Sequence, residues 1–585
     1  MTAYLLALTV GPVQEFISAA RRTRDLWFGS YLLSEISKAT AKSVRDHGGA
    51  LIFPAPRNST DLDPDSRLNV ANIIVAELKE SDPATVARAA KAAAQAHWRS
   101  FADRVFRNNQ GVIQPEIWND QVDDVIEFYA AWRVYSPQTY QPDRAALMRL
   151  LAARKRCRDF LPARGRPGIP KSSLDGLRES VLRPSREWPA QSIGRLRLAE
   201  GEQLDVVGVV KRVWVQEGGS APRYPSVARV AADPWLRSVD ASRMGPLLKA
   251  CRNLGNEVLY EIDTSEECGS PQYAAFPFEG TAVFRSRYLE FQREAQVSPE
   301  DLKPLARSLA DLTCVFGEPS PYLGVLVADG DRMGQALCAL QSPDAHREFS
   351  RALADFAGEA RQIVNVHSGV LVYAGGDDVL ALVPMDRCIA CSRSLRDRFS
   401  ESLAIWSAKT RTNLTLSVGL AIAHFMEPLE DLLQYGRAAE KHAKGPRLDD
   451  SEQKQRDGFA VHVLKRGGGP VAVRANWSTQ LDRRLQDLAK WVASCAIPGG
   501  VAYELRKIAD LYQSWPLDTV KEAIQTDTLS VMKGKQPRGA SRMDHIETLI
   551  RERVTGADSL RGLANELLVA RQLATALSTQ LGESL

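Results

Sequence analysis

The sequence predicts a multidomain α+β protein with two ferredoxin-like units, a helical middle domain and a helical C-terminal domain. Residues 322–443 follow the order strand, helix, strand pair, helix, strand, which is the β-α-β-β-α-β pattern. The start of the same order recurs near the N-terminus, from an apolar run at residues 4–10. We place the four domains at residues 1–225, 226–318, 319–472 and 473–585.

The first unit is predicted from apolar periodicity. A strand, a long helix and two further strands are expected at 4–10, 13–47, 50–53 and 69–78. Residues 83–150 are predicted to be mostly helical, and 204–215 to form a strand. This unit has Gly11-Pro12 where the second unit has carboxylates. It is therefore predicted to be a degenerate partner that completes a binding cleft.

The second unit carries its most informative residues at the tip of a predicted hairpin. Two apolar runs flank Gly375-Gly376-Asp377-Asp378, and the glycines can adopt the positive φ of a tight turn. A plain turn would explain the glycines. Adjacent carboxylates repel each other, however, and a bound cation is the usual reason to keep such a pair. The tip is thus either a turn or a metal site.

An upstream motif favours the metal site. A buried-strand pattern at 322–328 ends directly in Asp329-Gly330-Asp331. If this strand lies beside the hairpin, Asp329, Asp377 and Asp378 converge at strand ends. Three carboxylates suit Mg²⁺, and two such ions can clamp the oxygens of a nucleotidyl transfer. Alone, Asp-Gly-Asp would be a helix N-cap and a turn, but the two motifs together predict a metal–nucleotide site.

Two groups of basic residues have open interpretations. Lys441 and Lys444 end a predicted helix, where they would favour the helix dipole or equally hold a triphosphate. The second group is either a solvated face or an RNA contact, and it consists of Arg154, Lys155, Arg156 and Arg158.

Composition excludes several classes of protein. Of 585 residues, 25% are charged and 44% are hydrophobic, which is typical of a globular chain, and the net charge of +4 is too small to indicate nucleic-acid binding. The eight cysteines are scattered and predict no disulfide framework, and the pair Cys388 and Cys391 has no second pair nearby to complete a zinc site. No run resembles a signal peptide or a membrane span. We expect a cytoplasmic protein.

Six motifs carry a resemblance to a known family. They are GPVQEFISAARRTRDLWFGSYLLS at 11–34, RKRCRDF at 154–160, KSSLDGLRESV at 171–181, PSVARVAADPWL at 225–236, DGDRMG at 329–334 and GGDD at 375–378. Together they resemble the large palm-domain subunit of Cmr-type (type III-B) CRISPR RNA-guided effector complexes, over almost the whole chain. The first motif with DGDRMG is highly specific, whereas GGDD alone is weakly specific. Residues 415–424 and 443–444 also resemble the closing elements of nucleotide cyclase palms.

The resemblance implies that both units are palm domains of the nucleotide cyclase and polymerase type. It implies a nucleotidyltransferase of antiviral defence, in which the second palm converts ATP into a cyclic oligoadenylate second messenger when target RNA binds. The implied partners are the other Cmr-type subunits, including the guide-end-binding subunit and the small helical subunit, with guide RNA and target RNA. No membrane is implied.

The resemblance also implies roles for single residues. Asp329, Asp377 and Asp378 would be catalytic and would hold Mg²⁺ or Mn²⁺ together with Gly330, while Asp331 would assist or merely cap. The implied nucleotide-binding residues of the second palm are Gly375, Gly376, Lys444 and Lys441. The first palm would seat the acceptor ATP, with Gln14 and Phe16 in its lining.

Two departures from the family and two alternatives remain. Many members begin with an HD nuclease domain, but this sequence has no His-Asp dipeptide, so we expect no DNase activity in it. Members often carry a central zinc site, for which Cys251 and Cys268 are too isolated. The alternative function is a non-catalytic ATP-binding scaffold in the same ribonucleoprotein. A stand-alone diguanylate cyclase fits less well, since its hairpin would have Glu at the position of Asp378.

Overall fold

Two β-sheets form the framework of the chain. The computed structural model describes residues 3–66, 68–157, 165–189, 198, 201–214, 223–256, 258–265, 271–294, 297–445, 456–535 and 543–581. The strands are β1 (Ala3–Gly11), β2 (Gly49–Phe53), β3 (Ile73–Leu78), β4 (Glu127–Tyr135), β5 (Tyr322–Gly330), β6 (Val370–Ala374), β7 (Val379–Pro384), β8 (Leu416–His424), β9 (Gly458–Val463) and β10 (Val471–Asn476).

The helices of the first half pack around the first sheet or belong to the middle segment, residues 226–318. They are α1 (Gln14–Ser18), α2 (Thr23–Asp46), α3 (Pro83–Asn108), α4 (Pro115–Val122), α5 (Tyr140–Arg156), α6 (Val206–Val213), α7 (Val227–Ser238), α8 (Gly245–Leu254), α9 (Tyr288–Glu294) and α10 (Pro299–Phe316).

The helices of the second half cover the second sheet and form the C-terminal segment. They are α11 (Met333–Ala339), α12 (Pro343–Val366), α13 (Cys388–Ser402), α14 (Ala404–Thr410), α15 (Leu429–Lys444), α16 (Leu481–Ala493), α17 (Val501–Leu511), α18 (Leu517–Lys535), α19 (Met543–Arg553) and α20 (Ala557–Leu581). Among the described residues, no helix combines the length and apolar character that crossing a membrane requires.

Both sheets have the ferredoxin-like strand order. The first has the order β2-β3-β1-β4, with every neighbouring pair antiparallel. The second has the order β10-β9-β8-β5-β7-β6, in which β8-β5-β7-β6 repeats the arrangement of the first sheet. Strand β9 pairs in parallel with β8 and extends the sheet. The prediction of two ferredoxin-like palms is therefore confirmed.

The second sheet is buried on both faces. Along β5, Val325 belongs to a core shared with the middle segment and the first palm, whereas its neighbour Leu326 belongs to a core shared with the C-terminal helices. This follows from the alternation of side chains along a strand. Because both faces are apolar, the strand is a continuous hydrophobic run that ends at the first charged residue, Asp329.

Helix α12 joins the two palms. It begins after Ser342, whose hydroxyl accepts a hydrogen bond from Ala345 N–H at 3.2 Å. Arg347 on this helix pairs with Glu77 of β3 and donates to the carbonyl of Leu51 on β2 at 2.8 Å. The palms are thus held together by charged contacts as well as by apolar packing.

Two sequence predictions about elements were wrong. Residues 127–135, predicted as helical, form β4, because nine residue pairs with β1 complete the sheet. Residues 204–215, predicted as a strand, contain helix α6. Asp205 caps this helix by accepting from Gly208 N–H at 2.8 Å, so the cap and burial override the strand preference of its valines.

Candidate active site

A cleft of about 1530 Å³ lies between the two palms. The first palm lines it with the end of β1, with α1 and with single residues such as Asn72 and Tyr129. The second palm lines it with the end of β5, with the hairpin and with one face of α15. The cleft is large enough for more than one nucleotide-sized ligand, since typical ligand pockets measure about 300–1,000 Å³.

The structure brings the two carboxylate motifs together. The predicted hairpin is confirmed, with β6 and β7 antiparallel and Gly376 at a φ of 95°. The end of β5 reaches this turn, since Gly330 N–H donates to the Asp377 carbonyl at 3.1 Å. The approach depends on glycine, because a Cβ at residue 330 would lie 2.8 Å from the Cβ of Asp377.

Asp329 and Asp378 both line the cleft. The Asp329 carboxylate forms an ion pair with the ammonium of Lys444, which also lies 2.8 Å from Glu440 Oε1. Burial and the nearby Arg456 lower the pKa of Lys444 to about 8. Burial, followed by the charges of Asp378 and Asp331, raises the pKa of Glu440 to about 7. Lys444 is therefore the cation that lies between the carboxylates of Asp329 and Glu440.

The two hairpin carboxylates differ in position. Asp378 borders the cleft, and desolvation by the surrounding protein raises the pKa of its carboxyl group. Asp377 is half-buried beside Gly330 and does not border the cleft. Burial and then the charge of Asp378 raise the pKa of Asp377 to about 7. Desolvated neighbouring carboxylates of this kind are poised to gain from a cation.

The donor set fits a hard divalent cation. Within the part of the chain that the structure describes, no three His, Cys, Asp or Glu side chains are arranged to hold a metal ion. Instead, the Lys444 ammonium makes the contact to Asp329 that a cation would make. The oxygens of Asp329 and Asp378 share the cleft, and carboxylate oxygens are what Mg²⁺ and Mn²⁺ prefer. These residues would hold the ion once Lys444 turns toward a phosphate.

Asp331 does not reach the cleft. Its side chain is fully buried behind the end of β5, where Thr415 Oγ1 donates to it at 2.8 Å. Burial raises the pKa of its carboxyl group. The predicted role of Asp331 as a metal ligand has no support in this geometry, and its neighbour Gly330 serves the close approach of the two motifs.

The other predicted residues divide into two groups. Lys441, Lys444 and Gln14 line the cleft, as does Lys155 from the basic run. The remaining predicted residues do not border the cleft. Phe16 lies in the core, and Gly375 and Gly376 form the hairpin turn. Arg154 stacks over the Tyr129 ring, and Arg156 is exposed at the end of α5. Arg158 lies outside the described residues.

Sequence reasoning missed several cleft residues, of which Arg437 had a readable signal. Arg437, Lys441 and Lys444 are spaced at i, i+4 and i+7, so they share one face of α15. All three line the cleft. Arg456 also lines it, but nothing in the local sequence indicated that position.

The comparisons with known proteins agree with this architecture. Residues 322–459 match the family model described as Cas10/Cmr2, second palm domain. Residues 5–103 match the model for CRISPR-associated protein Cmr2, N-terminal. The chain is thus similar to Cas10/Cmr2 proteins over the second palm and over the first part of the first palm. It is 24% identical over 376 residues to the CRISPR system Cmr subunit Cmr2 of Pyrococcus furiosus, which covers 57% of this chain. The chain spans 40% of the length of that curated relative.

Two solved structures share the fold of this chain. The Type III-B Cmr-beta structure in the apo state has a TM-score of 0.67 and 13% identity, covering 98% of this chain and 82% of the other. Cmr-beta bound to cognate target RNA has a TM-score of 0.61 and 14% identity, covering 92% and 79%. The likeness therefore includes the first palm, the middle segment and the C-terminal helices as well as the second palm.

Gly330→Ala is expected to destabilise the candidate site, whereas Gly334→Ala is not. The new Cβ at 330 would meet Asp377, Met333 and Phe399 at 2.8, 2.9 and 3.1 Å, but a Cβ at 334 has nothing within 4 Å. Overpacking of this kind costs about 1–3 kcal/mol. We expect a lower melting temperature for the first variant alone, measured by differential scanning fluorimetry. Equal melting temperatures would contradict the close approach.

Asp377→Asn is expected to stabilise the metal-free protein more at pH 8 than at pH 5. The pKa of Asp377 is raised from 3.8 to about 7, so between these values the folded chain binds a proton that the unfolded chain has lost. The stability of the original protein therefore falls as the pH rises from about 4 to about 7. Asp377→Asn has no carboxyl group at this position, so the variant does not lose this stability. Melting temperatures in EDTA should show a gain of about 2 °C or more at pH 8.

The matched control for this pH dependence is Asp487→Asn. Asp487 is 61% exposed, and its nearest cation is Lys490 at 3.8 Å. Asp487→Asn should change the melting temperature by the same amount at pH 5 and at pH 8. A gain for Asp377→Asn that does not depend on pH would contradict the raised pKa.

Proposed function

We propose that this chain is the target-RNA-activated cyclic oligoadenylate synthase of a type III-B CRISPR effector complex. The observation that carries the proposal is the cleft shared by the two palms, whose lining includes the carboxylates of Asp329 and Asp378 and the ammonium groups of Lys441 and Lys444. Carboxylates for a divalent ion beside cations for a triphosphate are the equipment of nucleotidyl transfer from ATP.

The cleft residues are assigned to two nucleotides, a donor ATP and an acceptor ATP. Lys441, Lys444 and Arg437 bind the triphosphate of the donor ATP from one face of α15. Asp329 and Asp378 would hold Mg²⁺, which would supply Lewis acidity at the α-phosphate and lower the pKa of the attacking hydroxyl. Gln14 of the first palm orients the acceptor ATP, whose 3′-oxygen bonds to the α-phosphorus as pyrophosphate leaves.

The proposed partners follow from the same assignment. The chain works with the other subunits of a Cmr-type complex, with guide RNA and with target RNA, whose binding activates synthesis. Arg154 and Arg156 stay predicted RNA contacts, while Lys155 borders the cleft and is assigned to phosphate binding. The predicted absence of an HD nuclease stays a prediction.

A scaffold function is the second candidate, and one observation favours it. Lys444 pairs with Asp329, so this carboxylate has a cationic partner without a metal ion. In a scaffold subunit this pair would be permanent and ATP would bind without reacting. In the synthase, Lys444 leaves Asp329 when a triphosphate offers it a stronger anion.

The reconstituted complex distinguishes the two functions. It is incubated with guide RNA, Mg²⁺ and labelled ATP, with and without complementary target RNA, and the products are identified by mass spectrometry. The synthase predicts cyclic adenylates only when target RNA is present. Recovery of ATP alone, from a complex shown to bind its target, would support the scaffold.

A further inference from the structure

Asp331 is the carboxylate of the Asp-Gly-Asp motif that the proposed reaction leaves unused. Its side chain is fully buried. Thr415 Oγ1 donates to Oδ2 at 2.8 Å, and the Ser417 hydroxyl lies 2.8 and 2.9 Å from the two carboxylate oxygens. Burying a charged group is costly unless it is paired and hydrogen-bonded. A small polar residue would fill the position at a lower cost, so the charge itself needs an explanation.

The Asp331 carboxylate holds the chain at Arg456 and Asp457. Asp457 N–H donates to Asp331 Oδ2 at 2.9 Å. Arg456 and Asp457 have φ values of 71° and 42°, a conformation that residues other than glycine rarely adopt. Such backbone persists only where its surroundings over-determine it. The hydrogen bond from Asp457 is one of the contacts that fix this turn.

Further contacts fasten the same turn from the other side. Asn476 Nδ2 donates to the Arg456 carbonyl at 3.2 Å, and Trp477 N–H donates to the Asp457 carbonyl at 2.9 Å. The Asp457 carboxylate pairs with Arg396 at 2.9 Å. The turn is therefore anchored to β10, to α13 and to the end of β5 at once, which gives Arg456 a fixed position.

That position places the Arg456 side chain in the cleft wall beside Lys444. Its Nη1 donates to the Lys444 carbonyl at 3.1 Å, its Nε lies 3.8 Å from Asp331 Oδ1, and 30% of the side chain is exposed. A guanidinium has five N–H donors. Toward the described residues the side chain makes one hydrogen bond, so other donors remain for a ligand in the cleft.

We propose that Arg456 binds the triphosphate of the nucleotide in the cleft, and that Asp331 is a positioning residue that holds Arg456 there. The inference rests on the nucleotide-binding cleft of the proposed function. It adds a planar donor that can make two parallel hydrogen bonds to a phosphate, next to the single point charge of Lys444. It also assigns separate tasks to the two carboxylates of the Asp-Gly-Asp motif: Asp329 to the metal ion and Asp331 to the arginine.

The first test measures binding of inorganic tripolyphosphate and of adenosine, each with Mg²⁺, to the full chain by calorimetry. Arg456→Ala should weaken tripolyphosphate binding about tenfold or more, as the loss of a charge-assisted hydrogen bond does, and leave adenosine binding unchanged. Arg456→Lys should lie between the variant and the original chain. Arg466→Ala removes a 55% exposed arginine near Glu427, outside the cleft, and should change neither affinity. An unchanged tripolyphosphate affinity in Arg456→Ala overturns the assignment.

The second test is a double-mutant cycle for the positioning role. Asp331→Asn should weaken tripolyphosphate binding about threefold to tenfold, but it should add nothing in the Arg456→Ala background, because the two residues act as one unit. If Asp331→Asn does not fold, Ser417→Ala loosens the same carboxylate and takes its place. Additive losses overturn the positioning role.

The two proposals fail separately. If the reconstituted complex makes no cyclic adenylate but tripolyphosphate binding depends on Arg456, the proposed reaction is wrong and this assignment stands. If synthesis occurs and Arg456→Ala binds tripolyphosphate normally, the assignment alone is wrong.

Discussion

Replacing both hairpin carboxylates, Asp377→Asn with Asp378→Asn, is expected to abolish cyclic adenylate synthesis by the reconstituted complex. The amides keep the shape of the side chains but lack the charge that a divalent ion requires. Loss of an essential catalytic group commonly costs on the order of 10⁴-fold or more in rate. The rate of product formation is measured by mass spectrometry with target RNA at saturation.

Assembly and target binding should be unaffected in this double variant. The hairpin tip contacts the end of β5 through backbone groups, which the substitution leaves in place. Asp487→Asn, on an exposed face of α16, is the charge-matched control and should retain full synthesis. Product formation at the original rate by the double variant would contradict the assignment of the catalytic carboxylates.

Gly419→Ala is expected to have the largest effect on the structure of the site. Gly419 lies in the central strand β8, and a Cβ there would stand 1.9 Å from Glu440 N and 2.3 Å from the Ala439 carbonyl carbon. Both are backbone atoms of α15, so no side chain can turn aside. The helix would have to move away from the sheet, and it carries three of the cations that line the cleft, Arg437, Lys441 and Lys444.

We expect this variant to lose about 3 kcal/mol or more of stability, at or above the upper end for overpacking. It should also lose nucleotide affinity. Gly358→Ala is the control, because Gly358 lies within α12 and a Cβ there meets nothing within 4 Å. That change should be neutral or stabilise by about 0.5–1 kcal/mol. Thermal unfolding followed by circular dichroism measures both, and equal melting temperatures would show that α15 does not rest on Gly419.

The second palm could be predicted from sequence because its signals are local. The hairpin is determined by Gly375-Gly376 between two apolar runs, and Asp329 directly follows the apolar run of β5. Convergence of the two motifs required only that β5 and β7 be neighbours, as the ferredoxin-like order makes them.

Non-local contacts determined the elements and residues that sequence reasoning missed. Strand β4 has apolar residues on both faces, so its period of two was hidden, and pairing with β1 defines it. Arg456 lines the cleft from a turn whose contacts are distant in sequence, among them the hydrogen bond from its neighbour Asp457 to Asp331, which precedes Arg456 by 125 positions. The apparent equivalence of Asp329 and Asp331 in the motif likewise ends in the fold, because Asp329 borders the cleft whereas Asp331, just beyond the end of β5, is buried against Thr415 and Ser417.

The central claim is that Asp329 and Asp378 hold a divalent ion against a nucleotide in the cleft. The most direct measurement is a structure of the full chain with Mn²⁺ and a non-hydrolysable ATP analogue, with the ion located by its anomalous scattering. We predict an Mn²⁺ peak in contact with oxygens of both carboxylates, and Lys444 turned from Asp329 to the triphosphate. A nucleotide bound in the cleft with Lys444 still on Asp329 and no Mn²⁺ peak would contradict the account.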